Sequence, residues 1–257
     1  MRKKILAANW KMNLTQSEAE SYIATFLSEI GEVDDVEVVI IPSFTAIPVL
    51  ASASEKKMPS LRIGAQNMHW EKSGAFTGEV SAAMLRALFV KYVILGHSER
   101  RSLFGETDEI VNRKVRAALE AGLRPIFCIG ESLHERDSGK VEDVLGRQVC
   151  KGLEGVAQKD LSEIVVAYEP CWAIGTGRSA TPAEAENAHA YIRSVLSGLS
   201  NPATAERVRI QYGGSVKPEN TEELMRQKNI DGALIGGAGL DPRSFVRIIR
   251  RTVATLV

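Results

Sequence analysis

The chain has 257 residues, 44% of them hydrophobic and 25% charged, the composition of an ordinary globular protein rather than a disordered or fibrous one. Its 32 basic and 32 acidic residues cancel to a formal net charge of zero, which argues against a nucleic-acid-binding protein held by a basic surface. Three cysteines without CxxC spacing argue against a disulfide framework, and with no signal core and no run of membrane-spanning length the expectation is a cytoplasmic protein.

From the N-terminus onward, short β-branched or apolar runs alternate with helical patterns. The first run, 4–10, ends in Asn9 and Lys11, two residues apart and therefore on one side of an extended chain. Most lysines are simply solvated. This one follows an apolar strand and stands between Trp10 and Met12, which favours a working role, either as a positive charge or as a Schiff-base amine. Thr15 with Glu18 three residues on predicts a capping box. The helix it opens carries Ala19, Tyr22, Ile23, Phe26, Leu27 and Ile30 on one face.

Runs 36–41, 61–67 and 92–97 follow. The last closes in Gly96-His97-Ser98-Glu99 ahead of a short helix. A lone histidine near a core is more often a structural hydrogen-bonder than a catalyst. Here a helix N-terminus disfavours the imidazolium, which points to a neutral ring that donates to an oxygen gaining negative charge. Glu99 is expected to pair with Lys11 or an arginine. His69, His97, His134 and His189 are scattered without ligand spacing, so no metal is expected.

Runs 125–130 and 164–169 come next, separated by the helical stripe Val141, Val144, Leu145 and Val149. Glu169 closes an apolar run and precedes Pro170 and Trp172. A carboxylate in an apolar, closable pocket is a far stronger base than one in water. Residues 171–177 are small and glycine-rich, which reads either as a lid or as an ordinary loop over a buried tryptophan. Thr181-Pro182 and Asp241-Pro242 open two more helices. The runs 208–212 and 232–236 end in Gly213-Gly214-Ser215 and Gly236-Gly237-Ala238-Gly239.

Eight strand–helix units in a chain of this length predict an α/β fold, a single-domain (β/α)8 TIM barrel spanning 1–257. A doubly wound sheet would place a glycine-rich fingerprint after the first strand, where Asn9-Trp10-Lys11 stands instead. Polar residues at the strand ends carry the chemistry of such barrels, with phosphate sites after strands seven and eight. The combination is a phosphate site beside a lysine, a histidine and a glutamate, with no metal or cofactor motif. It suits proton transfer next to a carbonyl.

These residues resemble one family end to end: triosephosphate isomerase. The resemblance rests on Asn9-Trp10-Lys11, Gly64-Ala65-Gln66-Asn67, Gly96-His97-Ser98-Glu99-Arg100-Arg101, Ala167-Tyr168-Glu169-Pro170 with residues 172–177, Tyr212-Gly213-Gly214-Ser215 and residues 232–237. It implies Glu169 as the carbon base, His97 as the electrophile on the oxygens, and Lys11 with Asn9 as the group that binds substrate and steadies an enediolate. Gly175, Ser215, Gly236 and Gly237 would bind phosphate through their backbone, and a lid would protect the intermediate. These roles come with the family rather than with the spacing. The implied reaction interconverts dihydroxyacetone phosphate and D-glyceraldehyde 3-phosphate, in glycolysis and gluconeogenesis, without a cofactor. The stretch 69–80, with Gly74-Ala75-Phe76-Thr77-Gly78-Glu79, resembles a loop that inserts into a second subunit, which implies a homodimer. Cys171 for a usual valine, Arg178-Ser179-Ala180 for Lys-Thr-Ala and Gly239 for a serine depart from the family pattern, and none is itself a reacting group.

Overall fold

The computed structural model describes residues 2–57, 60–173 and 180–256. Eight parallel strands close on themselves in chain order: β1 (Lys4–Asn9), β2 (Val36–Ile41), β3 (Arg62–Ala65), β4 (Tyr92–Leu95), β5 (Arg124–Ile129), β6 (Val165–Tyr168), β7 (Arg209–Tyr212) and β8 (Gly232–Ile235). β1 pairs with both β2 and β8, which closes the ring. Helices run between the strands, so both faces of each strand are covered. This is why the strands read as continuous apolar runs rather than as an alternation.

Alternate residues of each strand face opposite ways. Ile5, Ala7, Val39, Ile41, Tyr92, Ile94, Ile126, Cys128, Val165, Ala167 and Leu234 pack together as one cluster, which fills the barrel. Leu6, Ala8, Val38, Ile40, Val93, Leu95, Phe127, Val166, Ala233 and Ile235 join the larger cluster shared with the helices.

The helix boundaries follow their caps. Gln16–Glu29 starts behind Thr15, with both bonds of its capping box to Glu18 formed, and buries Ala19, Tyr22, Ile23 and Phe26. Pro182–Leu199 repeats this with Thr181 and Glu184. Asp241 caps Pro242–Val253 through the amides of Arg243 and Ser244. The observed strands are shorter than the sequence runs at several ends. β4 stops at Leu95 because Gly96, at φ 70°, turns the chain out of the ladder before His97. Among the described residues, no helix is long and apolar enough to cross a membrane, and no group of three or more His, Cys, Asp or Glu side chains is placed to hold a metal ion.

Candidate active site

The site grows out of the inward-facing register. Beyond Ile5 and Ala7 on β1, the same parity carries Asn9 and then Lys11. Beyond Val165 and Ala167 on β6 it carries Glu169, and beyond Leu234 on β8 it carries Gly236. Polar groups therefore emerge at the carboxyl mouth of the barrel, on top of an apolar filling.

Glu169 is 1% exposed. Its Oε2 accepts the backbone N–H of Ser98 at 2.8 Å. Its Oε1 lies 2.8 Å from Nε2 of His97, close enough for proton exchange but without the alignment of a hydrogen bond. Burial works against the carboxylate, but His97, the Ser98 amide and Lys11 together outweigh it and hold its pKa below the ordinary value. Glu169 is thus ionised at neutral pH, as a base must be.

His97 is the N-cap of the helix Ser98–Leu103, and its Nδ1 accepts the Glu99 amide at 3.2 Å. A nitrogen that accepts cannot carry the proton, so the hydrogen-bond network assigns the neutral tautomer with hydrogen on Nε2. Burial opposes charge on the ring, yet the neighbouring Glu169 carboxylate prevails and raises the pKa. The expected neutral imidazole therefore rests on the bond at Nδ1, while the adjacent carboxylate pulls the other way.

Lys11 has φ 54°, a left-handed conformation costing about 1–2 kcal/mol outside glycine. It is held there by two side chains. Asn9 Oδ1 accepts its N–H at 3.0 Å, and Gln66 Nε2 donates to its carbonyl at 2.7 Å. Its Nζ pairs with Glu99 Oε1 at 2.6 Å, the partnership expected of Glu99. A Cβ added at Gly236 would stand 3.6 Å from the Cε of Lys11, so the ammonium stem lies along the glycine loop after β8.

The cleft these groups share has a volume of about 580 Å³ and is lined by Asn9, Lys11, His97, Glu169, Ser215, Gly236 and Gly237, among others. Gly213 has to be a glycine, since a Cβ there would meet Glu169 Cγ at 2.8 Å. The structure thus brings Asn9, Lys11, His97, Glu169, Ser215, Gly236 and Gly237 to one cleft. Gly175, the remaining expected site residue, and Arg178 lie outside the described residues, as does the rest of 174–179.

Some participants gave little signal in the sequence. The Ser98 amide, which holds Glu169, has no side-chain signature. Gly130 lets β5 and β6 approach, because a Cβ there would fall 1.7 Å from the Glu169 carbonyl oxygen. Lys217 and Arg247 also reach the cleft, but cations of this kind usually read as solvated. Cys171, at the near side of 174–179, is pushed up to about 12 by burial and by the carboxylates of Glu169 and Glu131. It is a protonated thiol and a poor target for oxidation.

A family model described as Triosephosphate isomerase matches residues 4–252. A curated relative named Triosephosphate isomerase from Symbiobacterium thermophilum is 54% identical over 248 residues, covering 96% of each chain. The protein of that name from Carboxydothermus hydrogenoformans is 50% identical over 253 residues, 98% of this chain and 100% of its own length. The one from Dictyoglomus thermophilum is 48% identical over 250 residues, 97% of this chain and 100% of its own.

Proposed function

The chain belongs to the triosephosphate isomerase family, which interconverts dihydroxyacetone phosphate and D-glyceraldehyde 3-phosphate, and we propose that Glu169, His97 and Lys11 carry out that reaction here. The observation that carries the assignment is the juxtaposition of an ionised, buried Glu169 with Nε2 of His97 at the mouth of a glycine-lined cleft.

The phosphate of the substrate sits against the backbone of Ser215, Gly236 and Gly237, with Gly175 as a further donor and Lys11 supplying the charge. Its carbonyl and hydroxyl oxygens then face His97. Glu169 leaves the Ser98 amide, at a cost of about 1.5–3 kcal/mol for a hydrogen bond to a charged group. It takes a proton from the carbon next to the carbonyl. The C–H electron pair forms the carbon–carbon double bond of an enediolate, and the carbonyl π pair moves onto oxygen. Nε2–H of His97 protonates that oxygen, and the ring recovers a proton from the neighbouring hydroxyl. The carbonyl re-forms there, and Glu169 returns its proton to the other carbon. Lys11 faces the developing negative charge. Its Nζ is already engaged by the Glu99 carboxylate at 2.6 Å, which favours this electrostatic role over a Schiff base.

The test is turnover of D-glyceraldehyde 3-phosphate in D₂O. A proton parked on Glu169 exchanges with solvent, so the dihydroxyacetone phosphate formed should carry deuterium at C1. Product free of solvent deuterium, or an adduct on Lys11 trapped by borohydride, would sink the assignment.

The same reading extends to a homodimer. Residues 71–79 are all exposed, and Phe76 is 41% exposed despite its tilted contact with the His69 ring. A second recess of about 200 Å³ is lined by Met12, Phe44 and Phe104 and opens on Lys11 and His97. A partner's 69–80 loop fits that chemistry, covering apolar surface and shielding the lysine. Sedimentation should give twice the mass of one chain, and Phe76→Asp should give monomers of low activity. A monomeric wild-type protein would rule the dimer out.

A further inference from the structure

The helix Pro242–Val253 carries four exposed arginines, Arg243, Arg247, Arg250 and Arg251. Three of them are engaged. Arg243 pairs with Glu29 at 2.7 Å, Arg250 donates to the Glu29 carbonyl, and Arg251 pairs with Glu222 at 3.0 Å. Arg247 has no hydrogen-bond or ion-pair partner among the described residues, and it is the one that lines the active-site cleft. Lys217, two residues beyond Ser215, is exposed and lines the same cleft, and its ammonium also has no partner among the described residues. Ser244, one helical turn before Arg247, faces the cleft as well. It is 9% exposed, its N–H is taken by Asp241, and its hydroxyl has no hydrogen-bond partner among the described residues. A polar group so enclosed ordinarily has a partner, and the cleft is the space from which one would come.

Exposure grades the lining of that cleft. His97 and Glu169 are buried, Ser215 and Gly236 are half-buried, and Gly237, Lys217 and Arg247 are exposed. The reacting groups thus form the floor, the glycine loops stand above them, and the two cations occupy the rim. The volume of about 580 Å³ falls among sites of about 300–1,000 Å³ that take ligands well beyond a triose phosphate in size. The rim also carries one carboxylate, Glu219, which makes no ion pair with either cation, so positive charge is in excess there.

We propose that Lys217, Arg247 and Ser244 form a second anion subsite at the rim, and that the cleft takes a linear diphosphate across both positions. One phosphoryl group lies on the backbone of Ser215, Gly236 and Gly237, and the next lies on the two cations. The inference rests on the assignment of those backbones to phosphate. A single phosphoryl group reaches only the inner position, whereas a diphosphate also gains charge-assisted hydrogen bonds from a guanidinium and an ammonium. Such a ligand occupies the substrate's own phosphate position and competes with it, which makes turnover sensitive to diphosphates without a separate regulatory pocket.

The experiment measures inhibition constants against D-glyceraldehyde 3-phosphate for orthophosphate, pyrophosphate and a nucleoside diphosphate, in buffer free of divalent cations. Exposed ion pairs are individually weak, so Lys217→Gln and Arg247→Gln should each weaken pyrophosphate inhibition about threefold, Ser244→Ala about twofold and the two charge variants together about tenfold, with orthophosphate moving by less than about twofold. Arg251→Gln removes the same charge from the same helix outside the cleft lining and should leave the ratio of the two constants at its wild-type value. A nucleoside diphosphate that weakens in step with pyrophosphate shows that the subsite reads the diphosphate group when esterified; a loss confined to pyrophosphate assigns it to the free anion. A Lys217→Gln/Arg247→Gln double variant in which pyrophosphate and orthophosphate weaken by one common factor, or neither weakens, would overturn the subsite. Orthophosphate separates the two layers. If it fails to compete with substrate in the wild type, the phosphate assignment itself falls. If it competes while pyrophosphate owes nothing to Lys217 and Arg247, only the rim subsite falls.

Discussion

Among the described residues His69, His97 and His189 are buried, and two of them, His97 at 6% exposure and His189 at 0%, have surroundings that drive their protonation in opposite directions. Burial opposes charge on both rings. Beside His97 stands the Glu169 carboxylate, 2.8 Å from Nε2, and its charge prevails over burial and raises the pKa. His189, on the helix Pro182–Leu199, stands edge-on to Tyr168 at 5.8 Å and tilts toward Tyr212 at 6.4 Å. Its Nδ1 lies 3.2 Å from the Asn229 carbonyl, and among the described residues its Nε2 has no hydrogen-bond partner. Burial, helped by the cations Arg193 and Lys4, pushes it down to about 3. A proton relay needs a nitrogen open to substrate and a neighbour that rewards the charged form. His97 has both and His189 has neither, so the same side chain is a working group in one layer and a packing group in the other.

The contrast is most exposed to test at Glu169. Glu169→Gln keeps the shape and removes both the base and the charge that distinguishes His97. Turnover should fall by about 10³-fold, within the range for loss of a general base, while phosphate-ligand binding persists. The His97 ring, followed by NMR titration, should lose its raised pKa and move toward the behaviour of His189. Turnover within tenfold of wild type would remove Glu169 from the role of base.

Paired substitutions at the two histidines come next in size. His97→Gln should cost about 10²-fold in turnover, as for loss of an acid–base group, with a melting temperature near that of wild type. His189→Gln should leave turnover per folded molecule unchanged and cost about 1–3 kcal/mol of stability, the scale for disturbing a buried polar group. The reverse pattern would exchange the roles assigned to the two rings.

Much of this was legible in the sequence, for a physical reason. Parallel strands covered on both faces must be apolar throughout, so all eight could be read, and the parity of β1 and β6 carries straight on to Asn9, Lys11 and Glu169. The strand ends were less legible, because a single left-handed residue such as Gly96 ends a ladder without changing the apolar pattern. Backbone groups left no trace at all: the amide of Ser98 that holds Glu169 belongs to an unremarkable serine. The contact of Arg136 with both Trp172 and Glu184 joins residues 36 and 48 positions away in sequence, and two of the three look like solvated charges. His189 was readable only as a histidine without ligand spacing. Its true character lay in the helical stripe it shares with Ala185, Ala188, Ile192 and Leu196, all buried.

The smallest expected effect isolates that character through pH. An unfolded His189 takes up a proton below about 6.5, whereas the folded ring does not until about 3. Between those values the unfolded chain binds more protons, so this residue makes stability fall as pH falls, by at most about 1.4 kcal/mol per pH unit. His97 has the opposite sign. Its raised pKa contributes stability that is present below the unfolded value and lost as pH rises through the folded one. Glu169, with its pKa lowered, contributes stability above the ordinary carboxylate range that is lost only on stronger acidification. From pH 6.5 to 5, then, His189 penalises the folded state while the other two do not. His189→Gln, less stable than wild type at pH 8, should decline less steeply on acidification and gain about 2 kcal/mol relative to wild type by pH 5, as read by calorimetry at the two pH values. Parallel curves would mean that His189 gains its proton as readily in the folded chain as in the unfolded one, and burial among tyrosines would then no longer separate it from His97.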